Sequence, residues 1–261
     1  MVPRSSGSIG WWQFEALSRF DGLAHGVTSR RGGVSEGPYA ELNLGLHVGD
    51  DPERVIENRR RACEALGVQF ESLTFGQQLH GDSVHVLEAS QAGAGRESFE
   101  AGIPATDGLI VREPGIAIGV FVADCVPLVI YDPVKQAAAA VHAGWRGTAA
   151  GIAGKAVGTM AESCGARPGA LVAAIGPAIG PCCYQVSEEV ARAVGAAEQR
   201  EGQWYADLAE ANRRQLLAAG VREGNIELSG TCTACHADEF FSERKLGRPT
   251  GRFAAFIHLL G

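Results

Sequence analysis

The feature that most constrains the fold is a series of short apolar runs in the middle of the chain. Residues 108–112, 116–122, 126–131 and 137–141 are rich in β-branched residues or alanine, and turn residues separate them. Apolar runs of this length between turns predict buried β-strands. An Ala- and Gly-rich stretch over 148–163 follows and predicts a packed helix. Together these elements predict a mixed α/β fold with one or more buried sheets.

A second helix is predicted over residues 51–66, where apolar residues recur at near-helical spacing. Asp51 is a suitable N-cap, Pro52 suits the first helical turn, and Gly67 is typical of a helix C-terminus. The charged residues of this stretch are expected to face solvent.

The composition is that of one globular protein. The chain has 261 residues, of which 46% are hydrophobic and 20% charged, so it is long enough to bury a large core. No fixed-period repeat or low-complexity linker divides it. We therefore expect a flexible N-terminal segment over residues 1–10 and a single catalytic domain over 11–261.

Charge and hydropathy limit the partners of this protein. The net charge is −7, and no run of Lys and Arg with interleaved aromatic residues is present, which argues against nucleic acid and anionic membranes as partners. The longest apolar stretch, 116–131, is interrupted by Asp124 and Pro127 and is too short to span a bilayer. No signal peptide is apparent in the first thirty residues, so we expect a cytoplasmic protein with a small-molecule partner.

One candidate anion site lies where a predicted strand leads into a predicted helix. His142 ends the strand, and Gly144 and Gly147 allow a ligand to approach the backbone closely. Arg146 lies between these glycines, and its guanidinium is suited to phosphate or carboxylate. The alternative is a simple tight turn with Arg146 at the surface.

One candidate metal site combines His80, Cys125 and His142. Two imidazoles and a thiolate suit zinc or copper and leave a fourth position for water or substrate. The three residues lie far apart in the sequence, so no short motif supports the set. A cysteine in an apolar strand is also a common core residue, whereas the adjacent Asp124 needs a partner if it is buried.

The seven cysteines are an odd number, which argues against a disulfide framework and for reduced thiols. The segment from Cys232 to His236 matches the C-x-x-C-H pattern of haem attachment, but that chemistry is typical of exported proteins. Cys232 and Cys235 also resemble half of a zinc knuckle, which Cys182 and Cys183 would complete. Partly buried thiols without a function are the third alternative.

Several segments resemble a known family, and they extend over about residues 26–260. They resemble the YfiH-type laccase-domain family, whose members are also named polyphenol oxidases. The segments that match most clearly are Thr74-Phe-Gly-Gln-Gln-Leu-His-Gly81, Ala123-Asp-Cys-Val-Pro127, Val141-His-Ala-Gly-Trp-Arg-Gly147, Ile175-Gly-Pro-Ala-Ile-Gly-Pro-Cys-Cys-Tyr184 and Phe240-Phe-Ser-Glu-Arg244.

This resemblance implies an α/β fold of layered mixed β-sheets flanked by helices. It also implies a metal, usually zinc, held by His80, Cys125 and His142. Members of the family act on purine nucleosides. The resemblance thus implies phosphorolysis of adenosine, inosine and methylthioadenosine to a free base and a pentose 1-phosphate, with deamination of adenosine as a side activity.

Roles for individual residues follow as hypotheses. Phosphorolysis needs phosphate near C1′ while positive charge develops on the sugar, and Arg146 is the candidate that holds it. The metal is expected to orient phosphate or to lower the pKa of a bound water for deamination. Asn43, Arg30 and Gln78 are candidates for hydrogen bonds to the nucleoside or phosphate, and the alternative for each is loop capping.

Other functions stay open at this point. One is the editing of peptidoglycan precursors by hydrolysis of a muramyl-linked amino acid, with Cys125 as nucleophile. Another is copper-dependent phenol oxidation, although no two of the seven histidines stand in the His-x-His pattern of multicopper sites. A single copper in the same three ligands, and a metal-binding module without catalysis, are further alternatives. The sequence leaves monomer and small homo-oligomer equally open.

Overall fold

The structure is a computed structural model that describes residues 1–260. Its strands form two six-stranded sheets and one small sheet, and seven helices accompany them. The strands are β1 (Val2–Ser6), β2 (Ile9–Gln13), β3 (Leu23–Thr28), β4 (Leu73–Phe75), β5 (Val84–Val86), β6 (Gly108–Val111), β7 (Ala117–Val122), β8 (Val126–Asp132), β9 (Ala137–Ala143), β10 (Val172–Ile175), β11 (Gln185–Val186), β12 (Ala197–Arg200), β13 (Gln203–Ala206), β14 (Ile226–Leu228) and β15 (Phe253–Leu259). The helices are α1 (Glu15–Ser18), α2 (Pro52–Leu66), α3 (Trp145–Ala149), α4 (Ile152–Cys164), α5 (Glu188–Val194), α6 (Leu208–Ala218) and α7 (Glu243–Leu246).

Two large sheets face each other across the central core. The first sheet has the strand order β1-β2-β3-β15-β7-β4, and the second has the order β14-β10-β8-β9-β6-β5. Alternate residues of the facing strands fill the space between them, such as Ile118 and Val120 of β7 and Ala138 and Ala140 of β9. The apolar runs expected as buried strands are β6 to β9, so that prediction is confirmed.

Helices cover the outer faces of the two sheets. Ala62 of α2 packs with Phe121 and other residues of the first sheet, and Met160 of α4 and Leu216 of α6 pack on the second. Strands buried on both faces need continuous apolar sequence, and this explains the runs seen in the sequence. The expected α/β fold of layered mixed sheets flanked by helices is confirmed.

Local signals predicted one helix correctly and another only in part. Helix α2 starts after Asp51, whose carboxylate accepts a hydrogen bond from the Glu53 N–H, and it ends at Gly67, as expected. The expectation that its charged residues face solvent is wrong for Arg59, which is buried and donates to backbone carbonyls. The helix expected over 148–163 is instead two helices, α3 and α4. Gly151 separates them with a φ of 83°, a left-handed conformation that glycine adopts without strain.

Part of the segment over residues 1–10, which is predicted to be flexible, forms a strand. Residues 2–6 form β1 and pair with β2 in an antiparallel hairpin at the edge of the first sheet. The hairpin depends on cross-strand pairing, and the polar composition of the segment gives no sign of that pairing. Within the described residues, no helix combines the length and the apolar character that crossing a membrane would require.

Candidate active site

Strand pairing brings Cys125 and His142 together. Strands β8 and β9 are antiparallel neighbours, and their register places Pro127 opposite His142. Cys125 directly precedes β8, so its side chain lies beside the end of β9 that carries His142. Asp124 has a φ of 90°, and this turn of the backbone directs the chain from β7 into β8.

His80 reaches the same point from a different connection. It lies between β4 of the first sheet and β5 of the second, just as Cys125 lies between β7 of the first sheet and β8 of the second. The rings of His80 and His142 are 4.8 Å apart and almost perpendicular. The three ligand atoms all lie within 4.8 Å of one another. We call these residues the His-Cys-His site.

Asp107 organises the His-Cys-His site, although the sequence analysis did not select it. Its carboxylate lies 2.8 Å from Nδ1 of His142 and accepts hydrogen bonds from the backbone N–H groups of Leu79, His80 and Gly81. A carboxylate on one ring nitrogen directs the other nitrogen of the histidine towards the ligand position. Asp107 therefore fixes two of the three candidate ligands at once.

The charges of the site favour a thiolate and an imidazolium in the protein without metal. Burial opposes charge on Cys125, but His142 and His80 more than offset it and lower the pKa of the thiol to about 6. Burial also opposes charge on His142, yet Cys125 and Asp107 raise its pKa to about 9. The negative thiolate attracts a positive charge, which the His142 proton supplies in the protein without metal. A metal cation can take the place of this proton.

The donor set fits a zinc ion. Each of the three side chains offers a nitrogen or sulfur ligand, and Asp107 supplies the carboxylate partner that metal-bound histidines usually have. Gly144 keeps the space around the ligands open, since a Cβ atom there would lie 3.0 Å from Cδ2 of His80 and 3.3 Å from Sγ of Cys125. Three protein ligands beside a cavity are typical of a catalytic metal site.

A cavity of about 880 Å³ opens over the His-Cys-His site. Its size lies within the range of small-molecule sites. Trp145, Phe121 and Tyr184 contribute aromatic surface to its walls. Four arginines line the cavity as well: Arg146, Arg244, Arg248 and Arg252.

The four arginines differ in how much of their charge is already paired. Arg248 and Arg252 both contact the carboxylate of Glu243, and Arg244 donates to the backbone carbonyl of Gln185. Arg146 is exposed and lies over the Trp145 ring at 4.5 Å, and within residues 1–260 its guanidinium makes neither an ion pair nor a hydrogen bond. Arg146 is therefore the lining guanidinium most available to an anion.

Asp124 is a buried carboxylate with a full set of partners. The hydroxyls of Thr233 and Ser242 each donate to it at 2.6 Å, and the Arg244 N–H donates at 2.7 Å. These bonds join the β7–β8 connection to the loop after β14 and to the start of α7, which also lines the cavity. The buried charge is thus satisfied within the protein.

The residues expected to bind substrate occupy different places. Gln78 lines the cavity, but its amide group bonds the backbone N–H and carbonyl of Phe121. Arg30 donates to the carbonyls of Ala40 and Ala237. Asn43 is buried and accepts hydrogen bonds from Gly45 and Arg252. Neither Arg30 nor Asn43 is among the residues that line the cavity.

Two further lining residues escaped the sequence analysis. His47 lies in a short 3-10 turn, and burial, reinforced by Arg252 and Arg59, lowers its pKa to about 4. It is therefore neutral at physiological pH. Burial, with the nearby Cys125 thiolate as a further cause, raises the pKa of Tyr184 to about 12. For Tyr184 the signal was present, because it ends one of the quoted segments.

Comparison with known proteins identifies the family. The family model described as "Multi-copper polyphenol oxidoreductase laccase" matches residues 24–260. The chain belongs to this family. This confirms the resemblance inferred from the sequence segments.

Curated relatives and a solved structure extend this result. The chain is 42% identical to "Purine nucleoside phosphorylase YlmD" of Geobacillus stearothermophilus over 248 residues, which cover 91% of this chain and 90% of that one. It is 38% identical to "Adenosine deaminase RL5" of an unknown prokaryotic organism, over 82% of this chain and 85% of that one. The crystal structure of YlmD from G. stearothermophilus matches with a TM-score of 0.94 and 38% identity over 99% of this chain and 98% of that one. Since these relatives are named as enzymes, the expectation of an enzyme is confirmed.

Proposed function

We propose that this protein is a zinc-dependent purine nucleoside phosphorylase with adenosine deaminase as a side activity. It would act on adenosine, inosine and methylthioadenosine. The names of the relatives support this activity. The observation that carries the proposal is the placement of the His-Cys-His site at one side of an arginine-lined cavity large enough for a nucleoside and phosphate.

His80, Cys125 and His142 would hold the zinc ion. When bound, zinc supplies positive charge that orients an anion and lowers the pKa of a water molecule. Asp107 holds His142 in the orientation that presents its second ring nitrogen to the site. The same donor set also suits copper, which binds nitrogen and sulfur ligands more tightly wherever it is available.

Arg146 is the proposed phosphate ligand. Phosphorolysis brings a phosphate oxygen to C1′ while positive charge develops on the sugar, so the phosphate must be held close and correctly oriented. A guanidinium without an ion pair can make two parallel hydrogen bonds to phosphate. Helix α3 has only five residues, so the guanidinium rather than a long helix dipole supplies the charge.

The aromatic wall is the proposed site of the purine base. Tyr184 and Trp145 line the cavity beside the His-Cys-His site, and a purine stacks readily on aromatic side chains. Phosphorolysis takes place at C1′ of the sugar and deamination at C6 of the base. The orientation of the nucleoside along this wall therefore decides which atom lies near the metal ligands.

The test is product analysis of metal-quantified protein incubated with adenosine, with and without phosphate. We expect adenine and a pentose 1-phosphate only when phosphate is present, and a smaller amount of inosine in both conditions. The Arg146→Ala variant should raise the apparent KM for phosphate about tenfold, the value of one charge-assisted hydrogen bond, with the metal retained. The matched control, Arg19→Ala, removes an exposed arginine outside the cavity and should leave this KM unchanged.

Two outcomes would contradict the proposal. Adenine formed equally well without phosphate would exclude phosphorolysis. The absence of any purine product would exclude nucleosides as substrates and would favour the alternative of peptidoglycan-precursor hydrolysis with Cys125 as nucleophile, which is indifferent to phosphate.

A further inference from the structure

Four cysteines outside the cavity gather at one point of the surface. Cys182 and Cys183 lie in the turn before β11, and Cys232 and Cys235 lie in the loop after β14. Their sulfur atoms all lie within 4.8 Å of one another. We call these residues the cysteine cluster. The proposed reactions on nucleosides use none of these thiols.

The distances in the cysteine cluster suit metal coordination. Zinc binds sulfur at about 2.3 Å in a tetrahedron, which places the sulfurs about 3.8 Å from one another. Sγ of Cys235 lies 3.5 Å from Sγ of Cys183 and 3.6 Å from Sγ of Cys182. A disulfide joins only two sulfurs, at about 2.05 Å. It would not explain why the other two sulfurs lie at the same point.

The backbone beside Cys232 favours a thiolate at this one residue of the cysteine cluster. The Gly180 N–H donates to Sγ of Cys232 at 3.2 Å. Such donors stabilise negative charge on sulfur, the form that binds metal. Gly180 also permits this close approach, since a Cβ atom there would lie 3.3 Å from Cβ of Cys232 and 3.4 Å from Sγ of Cys182.

We propose that Cys182, Cys183, Cys232 and Cys235 bind a second zinc ion in a closed structural site. Four thiolates fill a tetrahedral zinc and leave no position for substrate, which is the arrangement of structural sites. Binding releases the thiol protons to solvent as the zinc–sulfur bonds form. The C-x-x-C-H pattern at residues 232–236 is then half of a zinc site.

The second zinc would stabilise one wall of the cavity. Thr233, which lies between two of the cysteines, donates to the Asp124 carboxylate at 2.6 Å. Tyr184 follows Cys183 directly and lines the cavity. The metal would thus hold the β7–β8 connection and the Tyr184 ring in a fixed relation, without contacting substrate.

The experiment is zinc quantification on the purified full-length chain and matched variants. We expect about two zinc ions per chain in the original protein and about one in a variant with His80, Cys125 and His142 all changed to alanine. The Cys182→Ser/Cys235→Ser double variant should also hold about one. Cys164→Ala, a control that removes a cysteine far from both sites in the sequence, should hold about two. The proposal fails if the triple alanine variant holds no zinc, or if the double variant holds as much as the original protein.

Cobalt substitution provides a readout that does not depend on counting. In the triple alanine variant, cobalt bound by four thiolates should show intense sulfur-to-metal absorption in the near ultraviolet, and this band should disappear when Cys182 and Cys235 are also changed to serine. Mass spectrometry without reductant tests the alternative that the cysteines form a disulfide. A mass lower by two hydrogens, with no metal retained, would show a disulfide in the cluster and overturn the proposal.

Discussion

The His-Cys-His site and the cysteine cluster differ in how the protein holds their ligands. The first stands at the ends of buried strands, with a carboxylate fixing its histidines and a cavity on its open side. The second brings together four sulfurs from two surface loops, and one of them, that of Cys232, accepts a backbone N–H. Three mixed ligands facing a cavity suit catalysis, whereas four thiolates facing one another suit a structural role.

The strongest contrast between the two sites is expected in the enzymatic activity of their variants. His142→Ala removes a proposed metal ligand of the His-Cys-His site, and we expect the phosphorolysis rate to fall about a thousandfold, the several kcal/mol that a catalytic metal contributes. Cys182→Ser/Cys235→Ser should lower the melting temperature and reduce the rate only a few-fold, because no cysteine of the cluster lines the cavity. Equal loss of activity in both variants would remove the distinction between a catalytic and a structural site.

The second prediction compares the acidity of the thiols in protein stripped of metal. The pKa of Cys125 is lowered to about 6, whereas burial raises the pKa of Cys182 to about 11. At pH 7 the first group is mostly thiolate and the second is thiol, so iodoacetamide should modify Cys125 about a hundredfold faster even though a less basic thiolate is a weaker nucleophile. The rate for Cys125 should rise as the pH increases through 6.

Peptide mapping by mass spectrometry after timed alkylation measures both rates in one sample. In the His142→Ala variant the midpoint for Cys125 should move to higher pH, because the main opposite charge is gone. An alkylation profile for Cys125 that rises only above pH 8 in the original protein would contradict the thiolate and imidazolium pair.

The third and smallest effect concerns Asp107. Asp107→Asn removes the charge that orients His142, and loss of such a partner typically weakens metal binding by about ten- to a hundredfold. Competition with a chelator should show this change for the His-Cys-His site alone. Asp238→Asn, which alters an exposed carboxylate that does not line the cavity, is the control. A matching loss of zinc from the cysteine cluster would show general destabilisation in place of a local effect.

The parts of the fold that the sequence predicted depend on signals within one element. Strands β6 to β9 are buried on both faces, so their sequences are continuously apolar, and α2 carries its own caps at Asp51 and Gly67. The pairing of β1 with β2 was not predicted, because a hairpin at a sheet edge leaves no apolar pattern in a polar segment. The break at Gly151 was missed because glycine also occurs inside helices.

The site was predictable only where the chemistry of a side chain is distinctive. Nitrogen and sulfur donors marked His80, Cys125 and His142, and the family resemblance linked them across the sequence. Asp107 gave no such signal, since its importance comes from the meeting of His142 with the backbone of residues 79–81 in three dimensions. Arg30 and Asn43 illustrate the opposite case, because these polar loop residues contact backbone groups and neither is among the residues that line the cavity.

The position of two ligands between the sheets has a consequence for variation far from the cavity. His80 and Cys125 each lie in a connection that leaves the first sheet and enters the second. A small slide of one sheet against the other would therefore change the distance between these two side chains, even if the core stayed buried. The affinity for zinc would then depend on the packing between the sheets. We expect Ile118→Val, a substitution between the sheets, to increase the rate of zinc release.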